Sequence, residues 1–577
     1  MPEIFQEKYL IWFVAVLVGV LMIIPSFYFH YFDPAYRGIE LFGSDAESDY
    51  LAQIQEIYDG HWFSGNIYLA DQKDALYFKQ NLSPIIMALF GKAAGLSAAG
   101  INMAAKFFLP ALLTVLIYIF FANVFGRKDL AILMAVFIML TQATWALLNP
   151  ASWPAIFLDG RFPGTDSHFL NYSRPINPQI SSFFFFGYLL CLWKFLFSPI
   201  ADKLKNIFIA VGVIILGLSF YTYPFTYSFL FAMNGSLFAY FLFVKDWRSL
   251  KKIIYVSLGA IAVGSVYLVS LFKVIFSDFY AQAAMIAGVV DTHRFIFSRV
   301  WWGTTAIFLF LYKGSKQTKV FILAFLAAAF LVTNQQLITG RTAPVPAHYH
   351  WYYIAPVSGA ILLYLLFIYL EKIIGRFKSA LLTAFLVLVF FYAGFLFQKN
   401  SYIAQREGMV SIQRYADVIS WIKNSIPEES SILSNEKLAN LIVDYTNHNV
   451  YDSGYAVNFL ISPERLRHLY YSGLFLDGIT KNNAGDYFYN NKDFVGGYFF
   501  GQYYRYKNGG YGNFPDFVLD GIITEYENFL DEDFLGQLSK YPLDYIVWDK
   551  EKDPSWRIDR FFHEKVYEKN SIIIYKI

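Results

Sequence analysis

Tyr9-Leu10-Ile11-Trp12-Phe13-Val14-Ala15-Val16-Leu17-Val18-Gly19-Val20-Leu21-Met22-Ile23-Ile24-Pro25-Ser26-Phe27-Tyr28-Phe29 carries no charged side chain. As a helix it rises about 30 Å, the thickness of the hydrocarbon core of a bilayer. Comparable runs recur at 100–125, 130–148, 179–198, 206–222, 225–244, 253–275, 300–312, 319–334, 351–371 and 379–397. About eleven spans follow, an odd number that sets the two termini on opposite sides of the membrane. The first run has no small-residue cleavage site behind a short apolar core, so it reads as a retained anchor. Composition agrees. Of the 577 residues 56% are hydrophobic and 16% charged, against about 45–50% and about 25% in soluble domains. A water-soluble fold of this composition would expose large apolar patches. The net charge of +2 lacks the basic excess of a nucleic-acid binder. A single cysteine, Cys191, excludes a disulfide framework or a cysteine-rich metal site.

Orientation is read from lysine and arginine in the short connections. Arg127–Lys128, Lys203 and Lys205, Lys245/Arg248/Lys251/Lys252, Lys313/Lys316/Lys319 and Lys372/Arg376/Lys378 fall in alternate connections. The positive-inside rule puts this set, and with it the N-terminus, in the cytoplasm. The longer loops and everything after about residue 398 are then extracytoplasmic, in a multi-pass plasma-membrane protein. The chain divides into a membrane region, 1–397, and a C-terminal mixed α/β domain, 398–577. In the latter, 411–426 has the periodicity of an amphipathic helix, 431–433 and 545–548 read as short buried strands, and 566–576 as a hairpin turning at Lys569–Asn570. The Tyr-, Phe- and Gly-rich stretch 485–517 reads as an irregular loop packed by its aromatics. The run Phe183-Phe184-Phe185-Phe186 reads as lipid-facing surface.

The spans hold few ionisable residues, so chemistry is expected in the long loops 30–80, 149–177 and 335–350. The first contains Gly43-Ser44-Asp45-Ala46-Glu47-Ser48-Asp49-Tyr50, then a helical stretch at 51–59 with Tyr50, Ile54, Ile57 and Tyr58 on one face. It predicts an amphipathic helix lying in the membrane interface, stopped by Gly60 and preceded by carboxylates that suit its positive end. Lys79 and Pro84 follow, before the next span. The second loop gathers Asp159, Arg161, Asp166, His168, Asn171 and Arg174; an arginine fork grips phosphate oxygens, and Arg174 stands next to a span, at the depth of a lipid phosphate. The last loop offers Asn334, Gln335, Arg341, His348 and His350.

A first span, an acidic motif at its outer end, a helix closed by Gly60 and Trp62, and then Lys79 and Pro84 together resemble the GT-C membrane glycosyltransferases. The resemblance is strongest to the protein mannosyltransferase and aminoarabinose transferase type. It implies an enzyme that moves a sugar from a polyprenyl-phosphate donor to a hydroxyl of a glycan, lipid or protein on the extracytoplasmic side. It also implies a first-loop aspartate acting as general base: Asp45 by position, with Glu47 and Asp49 as alternatives, because Ala46 splits the acidic pair of the family. Arg174 and Arg341, with Lys79, His168 and His348 behind them, are then the donor-phosphate contacts. A divalent ion such as Mg or Mn, where one is used, would fall to Asp159 and Asp166. Oligosaccharyltransferase catalytic subunits share this layout, but the nearest match to their Trp-Trp-Asp-Tyr-Gly motif is Val547-Trp548-Asp549-Lys550, which does not read as an acceptor-sequon site. A transporter or flippase of lipid-linked glycans, or a non-catalytic scaffold of the same architecture, is the alternative.

Overall fold

The computed structural model describes residues 2–42, 45–77 and 79–577, except for the side chains of residues 2–8 and of Asp45. Among the described residues eight helical segments are long and apolar enough to cross a membrane: Tyr9–Phe32, Ala98–Phe125, Pro175–Phe197, Pro224–Phe243, Trp247–Ile275, Lys316–Asn334, Ala347–Ile374 and Arg376–Ser425. A ninth is the pair Lys128–Met139 and Thr141–Leu148, which meets at a 98° bend. By length and apolar composition, eight or nine of the eleven expected spans qualify. Asp202–Ser219 opens on Asp202, Lys203 and Lys205 and has too little apolar length left. Arg299–Leu311 has 13 residues, about 20 Å of helix. Both still run between the two ends of the bundle. Asp202 pairs with Arg248 at one end, and just past the same helix the carbonyl of Tyr221 accepts from the Leu82 amide at the other.

The cation-bearing connections meet at one end of the bundle. Arg127 pairs with Glu371 at 2.7 Å, and Lys252 donates to the carbonyl of Phe195. The bundle interior is aromatic and aliphatic. Phe185 and Phe186 are fully buried in it, with the Phe185 ring stacked on Tyr353 at 4.1 Å, and Phe183 and Phe184 are half-buried, so half of this run is interior packing where lipid-facing surface was expected. A helix apolar on every side has no polar stripe to announce which face turns inward.

The last membrane helix does not end at 397. Arg376–Ile412 continues for 37 residues, about 55 Å, so Lys399, Arg406 and Glu407 mark where it leaves hydrocarbon and not where it stops. It leads through Ala416–Ser425 into a five-stranded sheet formed by β1 (Ser431–Leu433), β2 (Asn449–Val450), β3 (Tyr545–Asp549), β4 (Lys565–Lys569) and β5 (Ile572–Lys576). The strand order is β2-β1-β3-β5-β4. β1 pairs parallel with β2 and β3, and β5 antiparallel with β3 and β4. The hairpin turns where expected, with Asn570 at φ 55°.

The stretch 485–517 is helical where a loop was expected. Lys481–Asn490, Lys492–Phe500 and Tyr503–Asn508 are short helices, and Ala484/Phe488 and Val495/Phe499 are buried pairs four residues apart. That spacing outweighs the low helix propensity of its glycines. Gly496 answers to packing: a Cβ there would lie 2.1 Å from the carbonyl oxygen of Tyr511.

The core of the C-terminal region is not built from that region alone. Ile39, Ala52, Ile67, Tyr68 and Leu69 of the first loop are buried in it beside Ile432, Leu438, Val450 and Phe459.

Candidate active site

The first-loop helix runs Asp45–Tyr58, longer than its apolar periodicity predicts, and Gly60 ends it at φ +104°. It does not lie on a membrane surface. Leu51, Ala52 and Ile54 are fully buried, and so is the polar side, with Glu47, Ser48, Asp49, Gln53 and Glu56 all under a tenth exposed. The helix is packed between Leu82–Ala93 and Ala98–Phe125 on the membrane side and Glu436–Tyr445 of the C-terminal region. The interfacial reading is overturned because the polar side has partners of its own. Amphipathicity says that two faces differ, not that one is wet.

Those partners are specific. Glu47 is fully buried and its Oε1 lies 2.5 Å from Lys106 Nζ; Asn102 donates to the same oxygen at 2.9 Å. Lys106 also donates to Ser26 Oγ. A lysine well inside a membrane helix is thus matched to a first-loop acid. Asp49 accepts from Lys79 at 2.9 Å, from Gln53 at 3.0 Å and from the Tyr68 hydroxyl at 3.1 Å. Ser48 donates to Asp444 Oδ2 at 2.7 Å. Burial pushes the Asp444 carboxyl well above the usual carboxylate range, with Asp49 and Glu47 adding repulsion. Asp45 begins the helix; its side chain lies outside the described residues.

Arg174 sits at the end of the second loop, just before Pro175–Phe197, and its Nη2 donates to the Tyr352 hydroxyl at 2.7 Å. With Thr141, Gln142, His168, Asn171, His348, His350 and Tyr352 it lines a cavity of about 470 Å³, closed on its apolar side by Trp145, Phe169, Val300 and Trp351. Three distant stretches converge here: the bend of the broken membrane helix, the second loop and the last loop. Gln142 Oε1 accepts from the Asn171 amide at 2.5 Å, and the Tyr223 hydroxyl and His348 Nδ1 are 2.7 Å apart. Tyr50, next to Asp49, is within electrostatic reach of Arg174 and Tyr352, which sets the first-loop helix beside this cluster. A second, apolar groove of about 420 Å³ is lined by Leu148, Ile307, Leu311, Leu362, Leu366 and Tyr369, and Trp145 borders both spaces.

Of the residues singled out in the sequence, Arg174, His168 and His348 share this cavity. Arg341 does not line it; its guanidinium pairs with Asp291 at 2.9 Å, both side chains more than half exposed. Lys79 is engaged with Asp49 and lies 3.8 Å from the centre of the Phe459 ring. Asp159 and Asp166 are exposed, and among the described residues no three His, Cys, Asp or Glu side chains gather closely enough to hold a metal ion. Asp549 is fully buried and accepts from Tyr415, Ser571 and Arg414, so Trp548-Asp549 belongs to the sheet. Gln142, Tyr223 and Tyr352 were not anticipated. Thr141-Gln142 is a polar pair inside the run 130–148, a signal that the helix breaks there; the tyrosines give none.

No protein-family model matches the chain, and no curated protein matches it. Among solved structures it is similar to the oligosaccharyltransferase AglB of the archaeon Archaeoglobus fulgidus, in complex with an inhibitory peptide and a dolichol-phosphate. There 13% of residues are identical over 94% of this chain and 70% of that one, with a TM-score of 0.48. It is also similar to ArnT of Cupriavidus metallidurans bound to undecaprenyl phosphate, at 14% identity over 79% of this chain and 88% of that one, with a TM-score of 0.42.

Proposed function

We propose that the chain is an integral-membrane glycosyltransferase that takes a sugar from a polyprenyl-phosphate donor and places it on a hydroxyl of a glycan, lipid or protein. The observation that carries this reading is the Arg174 cavity and the apolar groove that borders it at Trp145. A guanidinium, imidazoles and amides suit a phosphate, and the groove between membrane helices suits the polyprenyl chain attached to it. In the reaction the acceptor oxygen attacks the anomeric carbon as the bond from that carbon to the phosphate oxygen breaks. The departing lipid phosphate keeps the electron pair, and Arg174 balances its charge. The hydroxyl proton passes to a base, for which Asp45 is the candidate, since Glu47 and Asp49 are each engaged in an ion pair. His168 and His348 line the phosphate side. The cation-rich end is cytoplasmic, with the N-terminus, and residues 398–577 form an extracytoplasmic domain. With the bent pair counted once and the two shorter helices crossing as well, the chain makes eleven passes, which sets the termini on opposite sides.

The test uses the purified full chain in nanodiscs with undecaprenyl phosphate and with polyprenyl-phosphate hexoses. Arg174→Ala is expected to weaken lipid-phosphate binding by about tenfold or more, the scale of a charge-assisted contact. Asp45→Asn is expected to abolish release of free lipid phosphate while leaving binding intact. Movement of intact lipid-linked glycan across the bilayer without any bond cleavage would instead mark a flippase.

A further inference from the structure

Three separate lines of contact run from the C-terminal region to one turn of the acidic helix, Ser48 and Asp49. In the first, Asp444 on Glu436–Tyr445 accepts from Ser48 at 2.7 Å. The second passes through the segment 66–72. The Val450 amide at the edge of β2 donates to the Tyr68 carbonyl at 2.9 Å, and Asn66 donates to the Ala456 carbonyl at 3.1 Å. Asp71 pairs at 3.3 Å with Arg465, which is only 1% exposed and lies 4.0 Å from the Tyr541 ring centre. Tyr68, so held, donates its hydroxyl to Asp49. In the third, Phe459 lies under Lys79, which pairs with Asp49. The same helix carries Tyr50 beside Arg174 and begins at Asp45.

We propose that Asp444 and Tyr68 are positioning residues, through which the C-terminal region fixes the register and orientation of the acidic helix against the Arg174 cavity. The proposal rests on the transferase reading for its consequence and not for its geometry. Neither residue touches the cavity, so their effect on chemistry passes through Ser48 and Asp49. Ordering is the property at stake: a base set on a helix held from one side only would sample many orientations, and a displacement of about 1 Å is costly to a reaction that depends on alignment. The groups facing Asp444 are Glu47 and Asp49 from the acidic helix and Tyr68 from the 66–72 segment, and burial with these neighbouring acids pushes its carboxyl well above the usual carboxylate range, toward the protonated form. Asn at this position reproduces that form, keeping an oxygen for Ser48. Ala does not.

The experiment compares hydrogen exchange and undecaprenyl phosphate binding in the full chain, wild type against Asp444→Ala, Asp444→Asn and Tyr68→Phe. Asp444→Ala should speed exchange across 45–58 by about five- to tenfold, the scale of one lost buried hydrogen bond, with exchange at 98–125 and 545–549 unchanged. Lipid-phosphate affinity should stay within about twofold, and Asp444→Asn should restore wild-type exchange. Tyr68→Phe should give a smaller acceleration over the same residues. Unchanged exchange at 45–58 in both Asp444→Ala and Tyr68→Phe overturns the proposal, and so does an equal acceleration in the sheet, which would mean general destabilisation. Where Asp444→Ala does not fold, Tyr68→Phe decides alone. A wild-type protein that cleaves no lipid-linked sugar refutes the transferase reading and leaves the exchange result standing by itself.

Discussion

The first-loop helix and the Arg174 cavity lie side by side and treat charge in opposite ways. On the helix the described acids are already answered: Glu47 by Lys106 and Asn102, Asp49 by Lys79, Tyr68 and Gln53. In the cavity a guanidinium, three histidines and two amide side chains border about 470 Å³ of open space. In the proposed function this difference separates charge that builds the protein from charge that receives the lipid phosphate. A sequence shows both as polar clusters beside a span; only the cavity that one of them borders distinguishes them. It also narrows the chemistry, because a carboxylate oxygen already held by a lysine is not open to an acceptor hydroxyl.

The largest break in this comparison is expected at Lys106. Glu47 and Lys106 are both under a twentieth exposed. Lys106→Met leaves a buried carboxylate unmatched, and the loss of one partner of such a pair costs about 3–5 kcal/mol. Thermal unfolding of the detergent-solubilised chain should show a large drop in Tm. The double variant Glu47→Gln with Lys106→Met should recover most of it, since no charge then remains. A single variant as stable as wild type would mean that the helix is not held by this pair, and the contrast with the cavity would dissolve.

How much of this was legible depends on what kind of signal each feature leaves. The spans were readable because the bilayer imposes a length, and the cation asymmetry was readable because it is a count. The sheet was readable from short β-branched runs such as Ile572–Ile574. The 98° break at Leu140 was hidden inside one apolar run, marked only by Thr141-Gln142. Arg174 could be placed because it abuts a span, whereas Arg341, an equally plausible arginine by composition, turned to Asp291 fifty residues away. Such long-range pairings have no local pattern. For the same reason neither Lys106 nor Asp444 stood out: each is explained only by its partner on the acidic helix.

A middle-sized effect is expected at Lys79, which the sequence groups with the phosphate ligands and the geometry groups with Asp49. Its side chain is about a quarter exposed and Asp49 is nearly buried. Lys79→Met should lower stability by about 1–2 kcal/mol, less than a fully buried pair, and leave undecaprenyl phosphate affinity within about twofold. A tenfold loss of affinity would move Lys79 to the ligand side and extend the cavity across to the helix.

The smallest effect is expected at Arg341, and it sharpens the comparison by giving it a zero. Arg341 and Asp291 are both well exposed and their backbones form an isolated antiparallel bridge, with Thr292 donating its amide to the Gly340 carbonyl. The backbone link holds the two loops whether or not the side chains pair, and an exposed ion pair adds little in water. Arg341→Ala should therefore leave both Tm and undecaprenyl phosphate binding indistinguishable from wild type in parallel titrations with Arg174→Ala. Two arginines in loops of the same face would then differ only in what surrounds them. Arg174 faces a cavity walled by Trp145 and Trp351, where low dielectric magnifies a charge, and Arg341 faces solvent, which screens it. If Arg341→Ala weakens binding as strongly as Arg174→Ala, the last loop must fold over the cavity when lipid phosphate is present, and burial in the unliganded chain is the wrong guide to which cations bind it.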